Sequence, residues 1–257
     1  MMSEAKPSVS LFFPVYNDEE TVRRVTRKAL EVLSEVASEY EVIIIDDGSP
    51  DRSGEIADKL SREYHCVRVV HHPKNLGYGT AIRKGLSHVR YEWVCFTDGD
   101  DEYDVFDLRK LIRLKDFYDL IITFRYVKLY SGFRIFVSWV YNRLIRILFR
   151  TPYRDISTAL RLIRKSVADE LSLESTSPFI GAEITIKVML RGFRVGEVGI
   201  QTFPRTFGRS SSTSLRNILA TVRDMIATYR TIFSKSYDLP QSRNGLERCD
   251  ERPTRRR

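Results

Sequence analysis

Residues 92–104 read Glu92-Trp93-Val94-Cys95-Phe96-Thr97-Asp98-Gly99-Asp100-Asp101-Glu102-Tyr103-Asp104. An apolar run of strand length gives way at once to five carboxylates within seven residues. The apolar part calls for burial, and burial sets the acidic part at a strand end. Carboxylates crowded there repel one another unless a cation, hydrogen-bond donors or a ligand hydroxyl offsets the cost. A hard cation, Mg2+ or Mn2+, is the natural guest of such a concavity. Asp98, Asp100 and Glu102 alternate and can face one point, as in a calcium loop, but Tyr103 stands where that loop needs its glycine and Arg109 where it needs its closing glutamate. An EF-hand is therefore disfavoured. An acidic helix start before residues 105–114 accounts for Asp104 and Asp101 better than for the whole cluster.

Working outward, four further apolar runs, at about 9–15, 41–46, 66–72 and 119–124, are predicted to be strands. Helix-period segments lie between them: Val22, Val25, Ala29 and Leu33 share one face, residues 51–64 begin with an acidic residue suited to the helix dipole, and a third helix spans about 77–89. Strand and helix in alternation predict an α/β fold, a Rossmann-like, mostly parallel sheet with helices on both faces. In such sheets ligands sit beyond the carboxyl ends of the strands, so the polar residues there become candidates. The first strand ends in Pro14-Val15-Tyr16-Asn17-Asp18-Glu19-Glu20, the second in Asp46-Asp47-Gly48-Ser49-Pro50-Asp51. For the latter, a solvated turn with a capping Asp51 is the competing reading. Asn75-Leu76-Gly77-Tyr78-Gly79-Thr80-Ala81 opens the third helix with glycines that let a phosphate or sugar approach the backbone at Gly77. It is neither a Walker loop nor a dinucleotide fingerprint.

The chain has 257 residues and a net charge of +8, unevenly divided. Residues 1–120 carry 17 Lys/Arg against 23 Asp/Glu, and residues 121–257 carry 25 against 11. The basic half suits nucleic acid, an anionic membrane surface or a phosphorylated substrate, and charge alone does not choose. A nucleic-acid binder leaves the acidic cluster at Asp98–Asp104 unexplained, so no nucleic-acid partner is predicted; a catalytically silent sugar-nucleotide sensor is the other non-enzyme reading. Cys66, Cys95 and Cys249 match neither a disulfide framework nor a zinc site. No secretory signal and no stretch of about 18 apolar residues is evident, which predicts a cytoplasmic location. The division expected is a flexible N-terminus at 1–7, a catalytic domain at 8–212, an amphipathic helix at 213–236 and a disordered basic tail at 237–257.

Taken in order, PVYNDEE, DDGSPDRS, NLGYGTAIRKGL and TDGDDE resemble the family 2 glycosyltransferases of GT-A fold, over roughly residues 8–210. Within that family the chain is most similar to the polyprenyl-phosphate sugar transferases, the dolichol-phosphate mannose synthase and GtrB-like group. Asp155-Ile156-Ser157-Thr158-Ala159-Leu160-Arg161, the glutamate-bearing Phe179-Ile180-Gly181-Ala182-Glu183-Ile184 and Arg205-Thr206-Phe207-Gly208-Arg209-Ser210-Ser211 support this placement. The resemblance implies an inverting, metal-dependent transfer from a GDP- or UDP-sugar. It puts Pro14, Val15, Tyr16, Glu19, Asp46, Asp47 and Gly77 around the nucleotide, Asp98, Asp100 and Glu102 around the metal, and Arg161 and Arg205, with Arg209 and Ser210, at the diphosphate or the acceptor phosphate. Ala159 replaces the usual glycine and Ser211 stands where a lysine is common. Members that glycosylate hydroxyls usually carry a Glu-Asp pair on the later helix. Here the missing aspartate and the basic second half favour a phosphate acceptor, with a glycan or protein hydroxyl as the alternative.

Two segments bear on a membrane. Over about 131–150, Arg134, Ser138, Asn142, Arg146 and Arg150 recur every four residues, with Arg143 beside them, among aromatic and aliphatic side chains. A narrow cationic stripe on a wide apolar helix predicts an interfacial helix on the cytoplasmic face. Residues 214–234 place Leu215, Ile218, Leu219, Val222, Met225, Ile226, Tyr229, Ile232 and Phe233 on one face, suited equally to a membrane, the catalytic core, another copy of the chain or a separate membrane partner subunit.

Overall fold

The computed structural model describes residues 5–127, 132–204 and 214–234; at residues 133 and 234 only the backbone is described. The predicted tail, along with Cys249, lies outside the described residues. Strand β1 (Ser8–Val15) is apolar on both faces and buried from Val9 onward, which a strand inside a parallel sheet requires. It pairs in parallel with β2 (Glu39–Asp46) on one side and β4 (Trp93–Phe96) on the other, and β2 pairs in parallel with β3 (Val67–His71). Beyond β4 come β6 (Arg161–Arg164), antiparallel to both neighbours, then β5 (Leu120–Arg125) and β7 (Val195–Ile200), parallel to each other. The order is β3-β2-β1-β4-β6-β5-β7.

The helices are α1 (Val22–Val36), α2 (Ser53–Glu63), α3 (Tyr78–Leu86), α4 (Leu108–Ile112), α5 (Gly132–Phe149), α6 (Lys165–Asp169), α7 (Ile180–Leu190) and α8 (Leu215–Ser234). Strand alternation sorts them into layers. Leu11, Phe13 and Val15 point into a core shared with α1, α2 and α4, whereas Phe12, with Ile43 and Ile45, points into one shared with α3, α6 and α7. Chain connections from β1 leave to one side and those to β4 arrive on the other. The carboxyl ends of these two neighbours therefore border the crevice where such sheets take ligands.

A third layer covers the second. Helix α7 is buried on every side from Ala182 to Val188, its Glu183 and Lys187 paired with each other, so it needs packing on two sides. Its inner side meets the sheet. Its outer side, through Phe179, Ala182 and Ile186, meets Ile145 and Phe149 of α5 and Met225 and Ile232 of α8.

Helix α3 sits close against β1 because Gly85 faces Phe12. A Cβ at that glycine would lie 2.2 Å from Phe12 Cδ2, inside a core with no room for the ring to move. Gly85→Ala is expected to lower the unfolding free energy by about 1–3 kcal/mol in a urea titration, as overpacking of a well-filled core does; unchanged stability would mean that α3 packs more loosely than described.

Candidate active site

A cavity of about 1500 Å3 opens at the carboxyl ends of β1 and β4. Its walls include Pro14, Val15, Tyr16 and Glu19 after β1, Asp47 after β2, Gly77 and Tyr78 at the start of α3, Asp98, Asp100 and Glu102 after β4, and Arg161 on β6. The four ordered motifs thus converge on one space. Asp46 is the exception among the described candidates. Its side chain lies away from the cavity, accepting from Ser49 N at 3.0 Å and facing His71 Nδ1 at 2.8 Å. Burial tends to lower the His71 imidazole, but Asp46 and Asp58, both hydrogen-bonded to the ring, hold it above its ordinary value. Arg205, Arg209 and Ser210 lie outside the described residues.

The acidic cluster divides its charges by direction. Asp98, Asp100 and Glu102 line the cavity. Asp101, in the left-handed region at φ 60°, turns the other way and meets Arg24 Nε at 2.6 Å and Lys28 Nζ at 2.9 Å on α1. Asp104 accepts from Phe106 N at 3.2 Å and caps the short turn that leads into α4. Gly99 has no space for a side chain, since a Cβ would stand 2.6 Å from Pro14 O. That close approach brings the loop after β4 against the end of β1, where Thr21 Oγ1 donates to Gly99 O at 2.7 Å.

Within the cavity Asp98 accepts from the Tyr78 hydroxyl at 2.8 Å. Burial and then the adjacent carboxylate push that hydroxyl well above the usual phenol range, so it stays a donor. Asp100 accepts from Glu102 N at 3.0 Å, and Glu102 lies 3.5 Å from Arg134 Nη2 of α5. Among the described residues no three His, Cys, Asp or Glu side chains converge to hold a metal by themselves. The set of Asp98, Asp100 and Glu102 is therefore not a closed three-carboxylate site. Asp47 is a buried brace: it accepts from Leu76 N at 2.9 Å, Gly77 N at 3.0 Å and faces His72 Nδ1 at 2.7 Å. Its carboxylate fixes the glycine loop at the cavity edge.

Arg161, expected at a phosphate, is 1% exposed and otherwise engaged. Its guanidinium donates to Thr158 O, Ile156 O, Thr185 Oγ1 and Gly181 O. Burial lowers its pKa, though it stays a cation. It supplies positive field beneath the cavity floor and holds the 156–158 turn against α7. Glu183 is likewise structural: fully buried, it accepts from Glu174 N, Ser175 N and Lys187 Nζ.

Several contributors escape the sequence reading. Arg125 forms a buried ion pair with Asp155 at 2.7 Å, and Asn142 of α5 both donates to Asp155 Oδ1 at 3.3 Å and accepts from Ile156 N at 3.0 Å. Together with Arg134 near Glu102, these contacts turn the first half of the polar stripe of α5 towards the protein, whereas Arg143 and Arg146 are exposed, the latter with Nη2 near Tyr153 O. The apolar side faces out, with Phe136, Trp139 and Ile147 each about 60% exposed. The period-four stripe was visible in the sequence; its direction was not.

The Glycosyl transferase family 2 profile matches residues 10–172. Among solved structures, the glucosyl-3-phosphoglycerate synthase of Mycobacterium tuberculosis in complex with Mn2+, uridine diphosphate and glucosyl-3-phosphoglycerate superposes with a TM-score of 0.68 at 18% identity, over 88% of this chain and 79% of that one. The same enzyme with uridine diphosphate gives 0.67 at 17% identity, over 88% and 79%. With Mn2+, uridine diphosphate and phosphoglyceric acid it gives 0.64 at 19%, over 88% and 78%. At these identities the likeness carries the fold.

Arg161→Met is expected to destabilise the chain by about 3 kcal/mol or more, because it strands several buried acceptors at once. Urea unfolding measures this. A variant of native stability that had lost only turnover would return Arg161 to a ligand-contact role.

Proposed function

The chain belongs to glycosyl transferase family 2, and on that footing we propose that this glycosyltransferase moves a sugar from a nucleoside diphosphate sugar to a polyprenyl phosphate at a membrane surface. One observation carries the acceptor part of the reading. The cavity extends from the acidic strand ends to a largely apolar crevice between Phe136, Val140 and Leu144 of α5 and Ile218, Val222 and Met225 of α8, with Ser138, Arg216, Asn217 and Arg223 also on its walls. Both helices present apolar side chains outward beside that crevice. Leu215, Leu219 and Phe233 of α8 are 80%, 69% and 59% exposed, while its Met225 and Ile232 are buried. Packing on the core thus engages one edge of the α8 stripe and leaves the other uncovered among the described residues. A phosphate on a long isoprenoid matches a pocket that is charged at one end and greasy at the other. No described helix is long and apolar enough to span a bilayer, so any attachment through them would be peripheral.

The donor part rests on the carboxylates. Mg2+ or Mn2+ typically takes one or two carboxylates, several waters and the substrate's own phosphates. A pair at Asp98 and Asp100 without a third protein ligand fits that habit. When bound, such an ion would offset the charge that grows on the departing diphosphate. Tyr78 fixes the orientation of Asp98, and Asp47 keeps the Leu76–Gly77 backbone in place at the edge of the nucleotide space. An acceptor phosphate oxygen is already ionised and attacks the anomeric carbon directly, with inversion, and needs no base. That suits a site where Glu183 is buried beneath three donors. Arg134, lining the cavity on α5 and 3.5 Å from Glu102, is a cation that would meet the acceptor phosphate, with Arg216 of α8 also on the cavity wall.

The test is sugar transfer from labelled UDP- and GDP-sugars with Mn2+ to polyprenyl phosphate in vesicles, to phosphoglyceric acid and to soluble saccharides. Transfer to polyprenyl phosphate is expected, falling about tenfold or more in the Trp139→Glu, Leu219→Glu double variant, since a charge on an interfacial face costs more than 1.4 kcal/mol. Transfer to phosphoglyceric acid or saccharides alone would remove the lipid reading.

A further inference from the structure

The turn that precedes α7 offers four consecutive amides, Glu174 to Ser177, and two carboxylates take them all. Glu183, from α7 itself, accepts from Glu174 N at 3.0 Å and Ser175 N at 2.9 Å. Asp224, from α8, accepts from Thr176 N and Ser177 N, both at 3.0 Å. Asp224 is 7% exposed, on a helix whose apolar stripe is mostly open. Burial works against its charge, but the Ser177 side chain, the Arg223 guanidinium at 2.9 Å and then the amides of Ser177 and Thr176 hold it ionised and below the usual carboxylate range. Arg223 also donates to Thr176 Oγ1 at 3.2 Å.

The other side of the same turn is a wall of the glycine loop. Gly79 N donates to Thr176 O at 3.0 Å, and a Cβ at Gly79 would stand 2.6 Å from Thr176 C and 2.7 Å from Ser175 O. The loop from Leu76 to Gly79 is therefore gripped between Asp47 on one side and the 174–177 turn on the other. Of the two carboxylates that set the turn, one belongs to the catalytic body and one to the peripheral helix.

We propose that Asp224 is a positioning residue that links α8 to the nucleotide side of the active site, so that the seating of this outer helix sets the register of the Leu76–Gly79 loop. Helix α8 then does two things: its outer edge meets the surroundings, and its inner carboxylate locks the turn against which the donor loop rests. The nucleotide-binding consequence rests on the proposed reaction; the mechanical link does not.

Two readouts separate them. Amide hydrogen exchange is followed at Leu76, Gly77 and Gly79 and across β1 to β4 in the full chain and in Asp224→Ala, Asp224→Asn and Leu219→Glu, the last altering only the outer edge of α8. In parallel, binding of UDP and GDP with Mn2+ is measured by calorimetry. In Asp224→Ala the loop amides are expected to exchange about tenfold faster with the sheet unchanged, as loss of hydrogen bonds to a charged group implies. Asp224→Asn, which keeps one acceptor, should fall between, and it serves if the alanine variant does not fold. Leu219→Glu should leave the loop unchanged. The same order is expected in nucleotide affinity. Loop protection unaltered in both Asp224 variants, or lost equally from loop and sheet, would overturn the link. If the unaltered protein binds neither nucleotide, the proposed reaction fails, and the exchange data still decide the link.

Discussion

Like charges at the end of a buried strand impose the constraint on which the site depends. Five carboxylates follow β4 within seven residues, and they cannot all face one way at neutral pH. The fold resolves this by aiming them differently. Asp101 goes to two cations on α1, Asp104 to a helix start, and Asp98, Asp100 and Glu102 to the cavity. Repulsion that remains among the inward three is met in part by Tyr78 and Arg134, which come from α3 and α5. Elements distant in sequence are thereby tied to one acidic wall of the cavity, and a divalent cation bound there would offset the charge that remains.

The two outer helices follow from a second constraint, the burial of α7 on every side. A helix of that kind needs cover on both sides, and the sheet supplies only one. Helices α5 and α8 supply the other, and in doing so they bring polar side chains to the active site: Asn142 to the Asp155–Ile156 turn, Arg134 to Glu102 and Asp224 to the Thr176–Ser177 turn. Their remaining apolar residues are left outside. The polar stripe of α5, which alone reads as a headgroup-facing feature, is divided: Arg134 and Asn142 join the helix to the protein, while Arg143 and Arg146 stay exposed beside the aromatic and aliphatic residues that face the surroundings.

The parallel core was legible because burial on both faces leaves continuous apolar runs, as in β1, β2 and β4, and because the polar residues at their ends stand out against them. Strands β6 and β7 were not. The first is four residues long and opens with an arginine whose burial depends on carbonyls from α7 and the 156–158 turn, and the second contains two glycines, which weaken a strand signal. The convergence of PVYNDEE, DDGSPDRS, NLGYG and TDGDDE on one cavity was readable from strand ends. The direction of individual side chains was not: Asp46 and Asp47 are adjacent, yet one faces His71 outside the cavity and the other braces the glycine loop, because neighbouring positions after a strand point to opposite faces. Asp224 carried no local signal, since its role exists only once α8 meets a turn 47 residues earlier in the chain.

Electron paramagnetic resonance of Mn2+ counts the free ion with and without a nucleoside diphosphate, and so reads whether the carboxylates after β4 hold the metal together with the donor. Mn2+ alone is expected to bind weakly, at least tenfold more tightly once UDP or GDP is present, and without that gain in Asp98→Asn and Asp100→Asn variants that remain folded. Tight Mn2+ binding without nucleotide, or a nucleotide-dependent gain that survives both substitutions, would contradict this joint hold on metal and donor.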